Sequence, residues 1–170
     1  MAERTVLFGG RPLALAGPAL QVGDPAPNFR LVDTSLQERQ LSDWAGKIRV
    51  LSVVPSLDTP VCDQQTRRFN QTLNQSGSDV VVLTVSMDLP FAQARWCGNS
   101  GLEQVITLSD HRDAAFGIAY GTLIPALRLE SRAVFVVDPE DRLRYVEYVP
   151  ELAQHPNYAA VEAAVAALRR

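Results

Sequence analysis

The two cysteines, Cys62 and Cys97, have the most reactive side chains in this sequence. They are too few for a small secreted scaffold built on disulfides, and they do not form a Cys-x-x-Cys pair. Four interpretations are open for such residues: inert core thiols, a structural bridge, metal ligands or a redox pair. The residues around each cysteine bear on the choice between them.

Cys62 lies where a predicted buried strand leads into a predicted helix. With Thr59 as the N-cap, Pro60 takes the first helical position, where its missing N–H is not needed, and Cys62 is the third residue of the helix. Unpaired N–H groups and the positive end of the helix dipole favour a thiolate there. Complete ionisation raises the reactive fraction of a free thiol only about thirty-fold at pH 7, so fast chemistry also needs donors placed at the leaving group.

Arg132 and Thr59 are candidates for such donors. A guanidinium is always charged, and Arg132 stands at the start of a predicted strand over residues 133–137. The ordinary alternative for this arginine is a solvated surface residue. The hydroxyl of Thr59, three residues before the sulfur, can either cap the helix or donate to the thiolate or to an approaching oxygen.

Cys97 has the opposite placement, at the end of a predicted helix over residues 90–97 that Gly98 stops. The helix dipole disfavours a thiolate at that end. Such a thiol could condense with a sulfenic acid at Cys62 and leave a disulfide for an external dithiol to reduce. A purely structural bridge would close a loop of about 36 residues, worth roughly 4 kcal/mol, so that interpretation stays open as well.

The remaining pattern predicts an α/β fold with a mixed central sheet. Gly9-Gly10 joins a predicted hairpin over residues 5–8 and 12–15. Almost continuously apolar runs at 48–54, 80–85 and 133–137 are typical of strands covered on both faces. Further strands are predicted at 28–33 and 143–149, a helical turn at 42–46, and helices from 62 to near 77, at 113–120 and at 157–168. The length of 170 residues predicts one domain over residues 1–170.

Composition argues against several classes of protein. Sixteen basic residues against nineteen acidic residues give a net charge of −3, and no basic cluster exceeds two residues, so we expect no nucleic-acid partner. No apolar run approaches the length of a membrane span, so we expect a cytoplasmic protein without a membrane partner. Cys62, Cys97, His111 and His155 lack the short spacings of zinc ligands, and we expect neither a metal nor another cofactor.

Several stretches of the chain resemble peroxiredoxins. The segment Pro55-Ser56-Leu57-Asp58-Thr59-Pro60-Val61-Cys62 resembles their Pro-x-x-x-Thr-x-x-Cys active-site motif, and the closest resemblance is to the bacterial thiol peroxidase branch with two cysteines in one chain. Residues 88–98, 105–109 and 131–138 are similar to the resolving-cysteine helix, the next strand and the arginine strand of that branch. The resemblance therefore covers nearly the whole chain.

The resemblance implies a thioredoxin-like fold and thiol-dependent reduction of hydrogen peroxide and organic hydroperoxides. Cys62 matches the peroxidatic cysteine, Thr59 the hydroxyl that orients the peroxide, and Arg132 the guanidinium that supports thiolate and transition state. Pro55 matches the ring that shields the pocket, and Cys97 the resolving cysteine of the same chain. The family further implies thioredoxin as the reductant and a homodimer.

Two alternatives remain beside this interpretation. A redox sensor could use the same disulfide without efficient turnover. Asp58 and Asp63 flank the reactive segment and could act in acid–base catalysis, although helix-end carboxylates are their simpler interpretation.

Overall fold

The fold is taken from a computed structural model, which describes residues 3–73, 79–102 and 105–169. Within these ranges the chain forms eleven strands and four α-helices. The strands are β1 Thr5–Phe8, β2 Arg11–Ala14, β3 Arg30–Val32, β4 Glu38–Gln40, β5 Ile48–Val53, β6 Val80–Ser86, β7 Ile106–Ser109, β8 Leu123–Ile124, β9 Leu129–Glu130, β10 Ala133–Val137 and β11 Leu143–Tyr148. The helices are α1 Pro60–Thr72, α2 Pro90–Ser100, α3 Ala115–Tyr120 and α4 Tyr158–Leu168, with a 3-10 helix at Leu41–Trp44.

The central sheet has seven strands in the order β11-β10-β5-β6-β7-β3-β4. The pairs β5–β6 and β6–β7 are parallel, and the other four pairs are antiparallel. Every residue of β5, β6 and β10 is buried, as their apolar runs predict for strands covered on both faces. The mixed α/β architecture predicted from the sequence is confirmed.

Helices cover both faces of this sheet. On one face, α1 and α4 pack on alternate residues of β5, β6 and β10, with Phe69 and Val161 in the shared core. On the other face, Phe116 and Tyr120 of α3 stack at 4.3 Å between ring centroids and join Phe135 in a second core. The carboxyl end of β5 and the start of β10 are thus held between two packed layers.

The predicted hairpin at the N-terminus is confirmed. β1 pairs with β2 from Thr5 opposite Ala14 to Phe8 opposite Arg11. Gly9 and Gly10 take φ values of 58° and 79°, which a residue with a side chain adopts only at a cost.

Helix ends differ from the sequence predictions in three places. α2 does not stop at Gly98 but continues to Ser100, and Gly101, at a φ of 74°, is its C-cap. A glycine in helical conformation costs only about 1 kcal/mol, too little to end a helix whose last residue, Ser100, is buried and accepts a hydrogen bond from Arg67. α1 ends at Thr72 and not near Gly77, which lies outside the described residues. α3 begins at Ala115, two residues later than predicted.

Two buried carboxyl groups, those of Asp110 and Glu130, tie α3 to the segment that leads into Arg132. Asp110 accepts backbone N–H groups at the start of α3, among them that of Gly117 at 2.9 Å. Glu130 is fully buried and accepts a hydrogen bond from the Thr122 hydroxyl at 2.6 Å. Burial, followed by the hydrogen bond with Asp110, raises the pKa of Glu130 well above its usual range. Glu130 therefore keeps its proton to higher pH than a free glutamic acid and can donate it to Asp110.

Replacing Glu130 by glutamine should make stability less sensitive to pH. Because its pKa is raised in the folded state, the wild-type protein loses stability as pH rises above the unfolded value of about 4.5. Glutamine has no proton to lose, so Glu130→Gln should be more stable than wild type at pH 8, with a difference that shrinks toward pH 4. Urea unfolding across this range measures the effect, with the exposed Glu140→Gln as the control. Parallel curves for Glu130→Gln and wild type would contradict the buried, protonated pair.

Candidate active site

Cys62 lies in the first turn of α1, just after β5, as predicted. Thr59 is the N-cap residue with φ −104° and ψ 151°, and Pro60 opens the helix. The backbone N–H of Asp63 donates to the Thr59 carbonyl at 2.9 Å, which closes the first turn around Cys62. The Thr-Pro start therefore sets the position of the sulfur along the helix.

The Thr59 hydroxyl does not cap the helix, and it does not donate to the Cys62 sulfur. It donates to the Ser56 carbonyl at 2.9 Å and closes the turn between β5 and α1. To donate to an incoming peroxide oxygen, as the sequence suggested, this hydroxyl must first break its hydrogen bond to the Ser56 carbonyl. Its oxygen remains available as an acceptor.

The Cys62 side chain is fully buried. It packs in a small apolar cluster with Val54 and Leu57, against which the half-buried Trp96 of α2 lies. A substrate can reach this sulfur only where the surrounding side chains leave space.

A mostly apolar cavity of about 240 Å³ opens beside the start of α1. Of the five candidate site residues, Pro55, Thr59 and Arg132 line this cavity, whereas Cys62 and Cys97 do not. Pro60 and Val61, the neighbours of Cys62 in the chain, also line it. Phe8 of the N-terminal hairpin and Leu129 of β9 form further walls. Leu152 and Ala153, in the segment after β11, complete them.

Arg132 is buried, with 2% of its surface exposed, so the alternative of a surface arginine is wrong. Its Nε and Nη2 donate to the Leu152 carbonyl at 3.2 and 2.8 Å, and its Nη1 donates to Gln65 Oε1 at 3.0 Å. Both acceptors are neutral, and no carboxylate pairs with Arg132 among the described residues. Since a guanidinium has five N–H groups, two remain for an anion in the cavity.

Gln65 is the residue of this site that the sequence analysis missed. It is fully buried on α1, one turn after Cys62, and its Nε2 donates to Ser52 Oγ on β5 at 2.8 Å. That bond orients the amide so that its oxygen faces Arg132. A polar residue on the buried side of the helix, next to the cysteine, was the available signal.

Cys62 and Arg132 both influence the ionisation of Tyr158 on α4. Burial raises the pKa of this tyrosine, Arg132 and Arg68 lower it, and a charged Cys62 raises it. The cysteine and the arginine therefore lie close enough to one phenol to influence its ionisation, although 70 residues of chain separate them.

Cys97 lies in the last turn of α2 and outside the cavity. Both cysteines are free, and the Cys97 Sγ is 3.7 Å from the Thr107 hydroxyl on β7. Its pKa is raised chiefly by burial, whereas the sequence analysis attributed the preference for a thiol to the helix end. The two cysteines thus have different surroundings.

The flanking carboxylates do not enter the cavity. Asp58 is exposed and faces Arg95 at 3.9 Å, and Asp63 binds Arg67 at 2.9 Å. Neither lines the space beside Arg132. This placement favours their interpretation as carboxylates at a helix end.

Other kinds of site receive no support from the described residues. No three histidine, cysteine, aspartate or glutamate side chains there form a group that could hold a metal ion. Nor does that part of the chain contain a helix both long and apolar enough to cross a membrane.

Comparison with known proteins identifies the general class to which this chain belongs. Residues 21–162 match the family model described as Redoxin. A peroxiredoxin-like protein from Aquifex aeolicus shares the fold with a TM-score of 0.89 and 42% identity, covering 97% of both chains. A thiol peroxidase from Chromobacterium violaceum has a TM-score of 0.88 over the full length of both chains, and at 23% identity it supports the fold alone. The thioredoxin-like fold expected from the sequence is confirmed.

Curated relatives narrow the class. The thiol peroxidase of Bacillus subtilis is 52% identical over 99% of this chain and 100% of its own. That of Oceanobacillus iheyensis is 54% identical over 92% of this chain and 94% of its own. The chain belongs to the bacterial thiol peroxidase family and is a thiol-dependent peroxidase. The resemblance found in the sequence is confirmed.

Replacing Gln65 by leucine should slow the reaction with peroxide about tenfold, because Arg132 would lose the acceptor that orients it. The second-order rate constant for hydrogen peroxide, measured by rapid mixing, tests this. Gln93→Leu is the matched control, since Gln93 is also buried but binds Ser86 and Leu108 outside the cavity. Both variants should lose stability, and only Gln65→Leu should lose reactivity. An equal loss of rate in both would contradict a specific role for Gln65.

Proposed function

We propose that Cys62 is the attacking sulfur of this peroxidase and that Arg132, Thr59 and Pro55 form the pocket that receives the peroxide. The Cys62 thiolate attacks one peroxide oxygen, an S–O bond forms and the O–O bond breaks. The sulfur is oxidised to a sulfenic acid, and the leaving oxygen takes a proton and departs as water or an alcohol.

The observation that carries this proposal is the buried guanidinium of Arg132, with neutral partners and two spare N–H groups beside the start of α1. Negative charge develops on the leaving oxygen as the O–O bond breaks. A charged donor already held in place stabilises that oxygen more in the transition state than in the ground state.

Pro55 and Thr59 have supporting roles in this proposal. Pro55 is buried in the wall of the cavity and keeps water from the sulfur. The Thr59 hydroxyl, freed from the Ser56 carbonyl, orients the peroxide.

In the second half of the cycle, Cys97 is the resolving thiol. Its sulfur attacks the sulfenic acid on Cys62, an S–S bond forms and water leaves. An external dithiol then reduces the disulfide and is itself oxidised. We propose thioredoxin as that dithiol. The protonated, half-buried state of Cys97 supports this order of events, because a thiol of that kind is a poor first attacker.

The apolar walls of the cavity support organic hydroperoxides as substrates beside hydrogen peroxide. Phe8, Leu129, Leu152 and Ala153 offer an alkyl group a surface away from water. Arg132 supplies the polar end for the hydroperoxide group.

We further propose a homodimer, a cytoplasmic location and a single domain over residues 1–170. Exposed apolar side chains such as Phe91, Ile118 and Leu127 supply surface for a second copy. One sheet covered on both faces supports the single domain.

Two single substitutions separate the roles of the cysteines. Cys62→Ser should abolish turnover of peroxide with thioredoxin, because the attacking atom is gone. Cys97→Ser should consume about one equivalent of peroxide and then stall, because no intramolecular disulfide forms. Steady-state peroxide consumption with thioredoxin, its reductase and NADPH measures both. Turnover by Cys62→Ser, or normal recycling by Cys97→Ser, would contradict these assignments, and a wild-type protein that stops after one equivalent would favour the redox sensor.

A further inference from the structure

A polar cluster around Asp63 joins the helix of Cys62 to the helix of Cys97. The Trp96 Nε1 donates to Asp63 Oδ1 at 2.9 Å, and the Arg67 Nε donates to Asp63 Oδ2 at 2.9 Å. The Arg67 Nη1 also donates to the carbonyl of Ser100, the last residue of α2, at 2.8 Å. The same guanidinium lies 5.5 Å from the centroid of the Trp96 ring.

Trp96 connects the two cysteines. Its ring packs against the apolar cluster that encloses Cys62, and in the chain it directly precedes Cys97. The Cys97 sulfur faces Thr107 on β7. The side chain that covers one sulfur is thus carried by the helical turn that holds the other.

A Cys62–Cys97 disulfide demands a different arrangement. It needs Cα atoms about 4.4–6.8 Å apart and facing Cβ atoms. Both cysteines are free, so Cys97 must leave Thr107 to bond Cys62, and the indole of Trp96 packs against the apolar cluster that contains Cys62. A movement of the end of α2 away from α1 breaks the hydrogen bonds that Trp96 and Ser100 make with Asp63 and Arg67.

We propose that Asp63, Arg67 and Trp96 form a latch that holds α2 closed over Cys62, and that opening of this latch sets the rate at which Cys97 reaches the sulfenic acid. The proposal rests on the function proposed above for the two cysteines. Asp63, Arg67 and Trp96 are positioning residues, since they act through the placement of Cys97. Hydrogen bonds to a carboxylate are charge-assisted, and those from Trp96 and Arg67 to Asp63 stabilise the closed arrangement.

The latch also governs a side reaction. While the latch is closed, the sulfenic acid on Cys62 does not meet Cys97. A second peroxide can then oxidise the sulfenic acid to sulfinic acid and leave as water or an alcohol. A weaker latch should therefore give more disulfide and less sulfinic acid at a given excess of peroxide.

Two variants weaken the latch in different ways. Trp96→Phe removes the indole N–H and keeps an aromatic ring over Cys62. Asp63→Asn removes the negative charge and keeps an acceptor oxygen. Glu162→Gln is the matched control, because it weakens the two-bond pair of Glu162 with Arg68, which joins α1 to α4 and not to α2.

The test follows disulfide formation after the sulfenic acid has formed. Reduced protein is mixed with one equivalent of hydrogen peroxide, quenched with acid, alkylated and weighed by mass spectrometry over time. Trp96→Phe and Asp63→Asn should convert sulfenic acid to disulfide about tenfold faster than wild type, as expected for loss of a charge-assisted bond. Both should also yield less sulfinic acid at excess peroxide, and Glu162→Gln should match wild type in both measurements.

Conversion by both variants at the wild-type rate, or more slowly, would overturn the latch and leave the proposed function standing. Acceleration in Glu162→Gln as well would overturn it too, because general loosening of α1 would then suffice. A wild-type protein that forms sulfenic acid but no Cys62–Cys97 disulfide would overturn the proposed role of Cys97, and the latch with it.

Discussion

The proposed active site is built around a positive charge, that of Arg132, buried without a negative partner among the described residues. Arg132 is held by two neutral oxygens, from Leu152 after β11 and from Gln65 on α1, and Gln65 is itself held by Ser52 on β5. Removing a charge from water without a counter-ion costs several kcal/mol, a cost that the packing of both layers must offset. An anion in the cavity recovers part of it, so the site is stabilised when a thiolate or a developing oxyanion is present. The fold in this way favours the charge distribution of the reaction over that of the resting state.

In the proposed function the same fold gives two identical thiols different tasks. Cys62 occupies the first turn of α1 and packs in an apolar cluster with Val54 and Leu57. Cys97 occupies the last turn of α2, where burial raises its pKa and keeps it a thiol. The proposed attacking and resolving thiols therefore lie on different helices, and Trp96, through its hydrogen bond to Asp63, joins these two helices.

The sequence predicted the parts of this molecule that depend on local chemistry. Continuous runs of β-branched residues predicted β5, β6 and β10 within one residue, and Thr59-Pro60 predicted the start of α1. The helix end predicted at Gly98 was wrong, because the contacts of the buried Ser100 outweigh the small cost of one glycine in a helix. The burial of Arg132 was beyond such reasoning, because its partners come from 20 and 67 positions away and belong to other elements. Gln65 gives one signal in the sequence, a polar residue on the buried side of a helix, but its contact with Arg132 depends on the fold.

Rapid mixing tests whether the buried charge of Arg132 makes Cys62 reactive. Reduced Cys97→Ser protein, with Arg132 intact or replaced by methionine, is mixed with one equivalent of hydrogen peroxide while peroxide loss is followed and sulfenic acid on Cys62 is confirmed by mass. We expect a reaction orders of magnitude faster than that of free cysteine when Arg132 is present, and loss of most of that acceleration in Arg132→Met. Reaction at the rate of a free thiol with Arg132 intact, or equal rates in the two proteins, would contradict this role of Arg132.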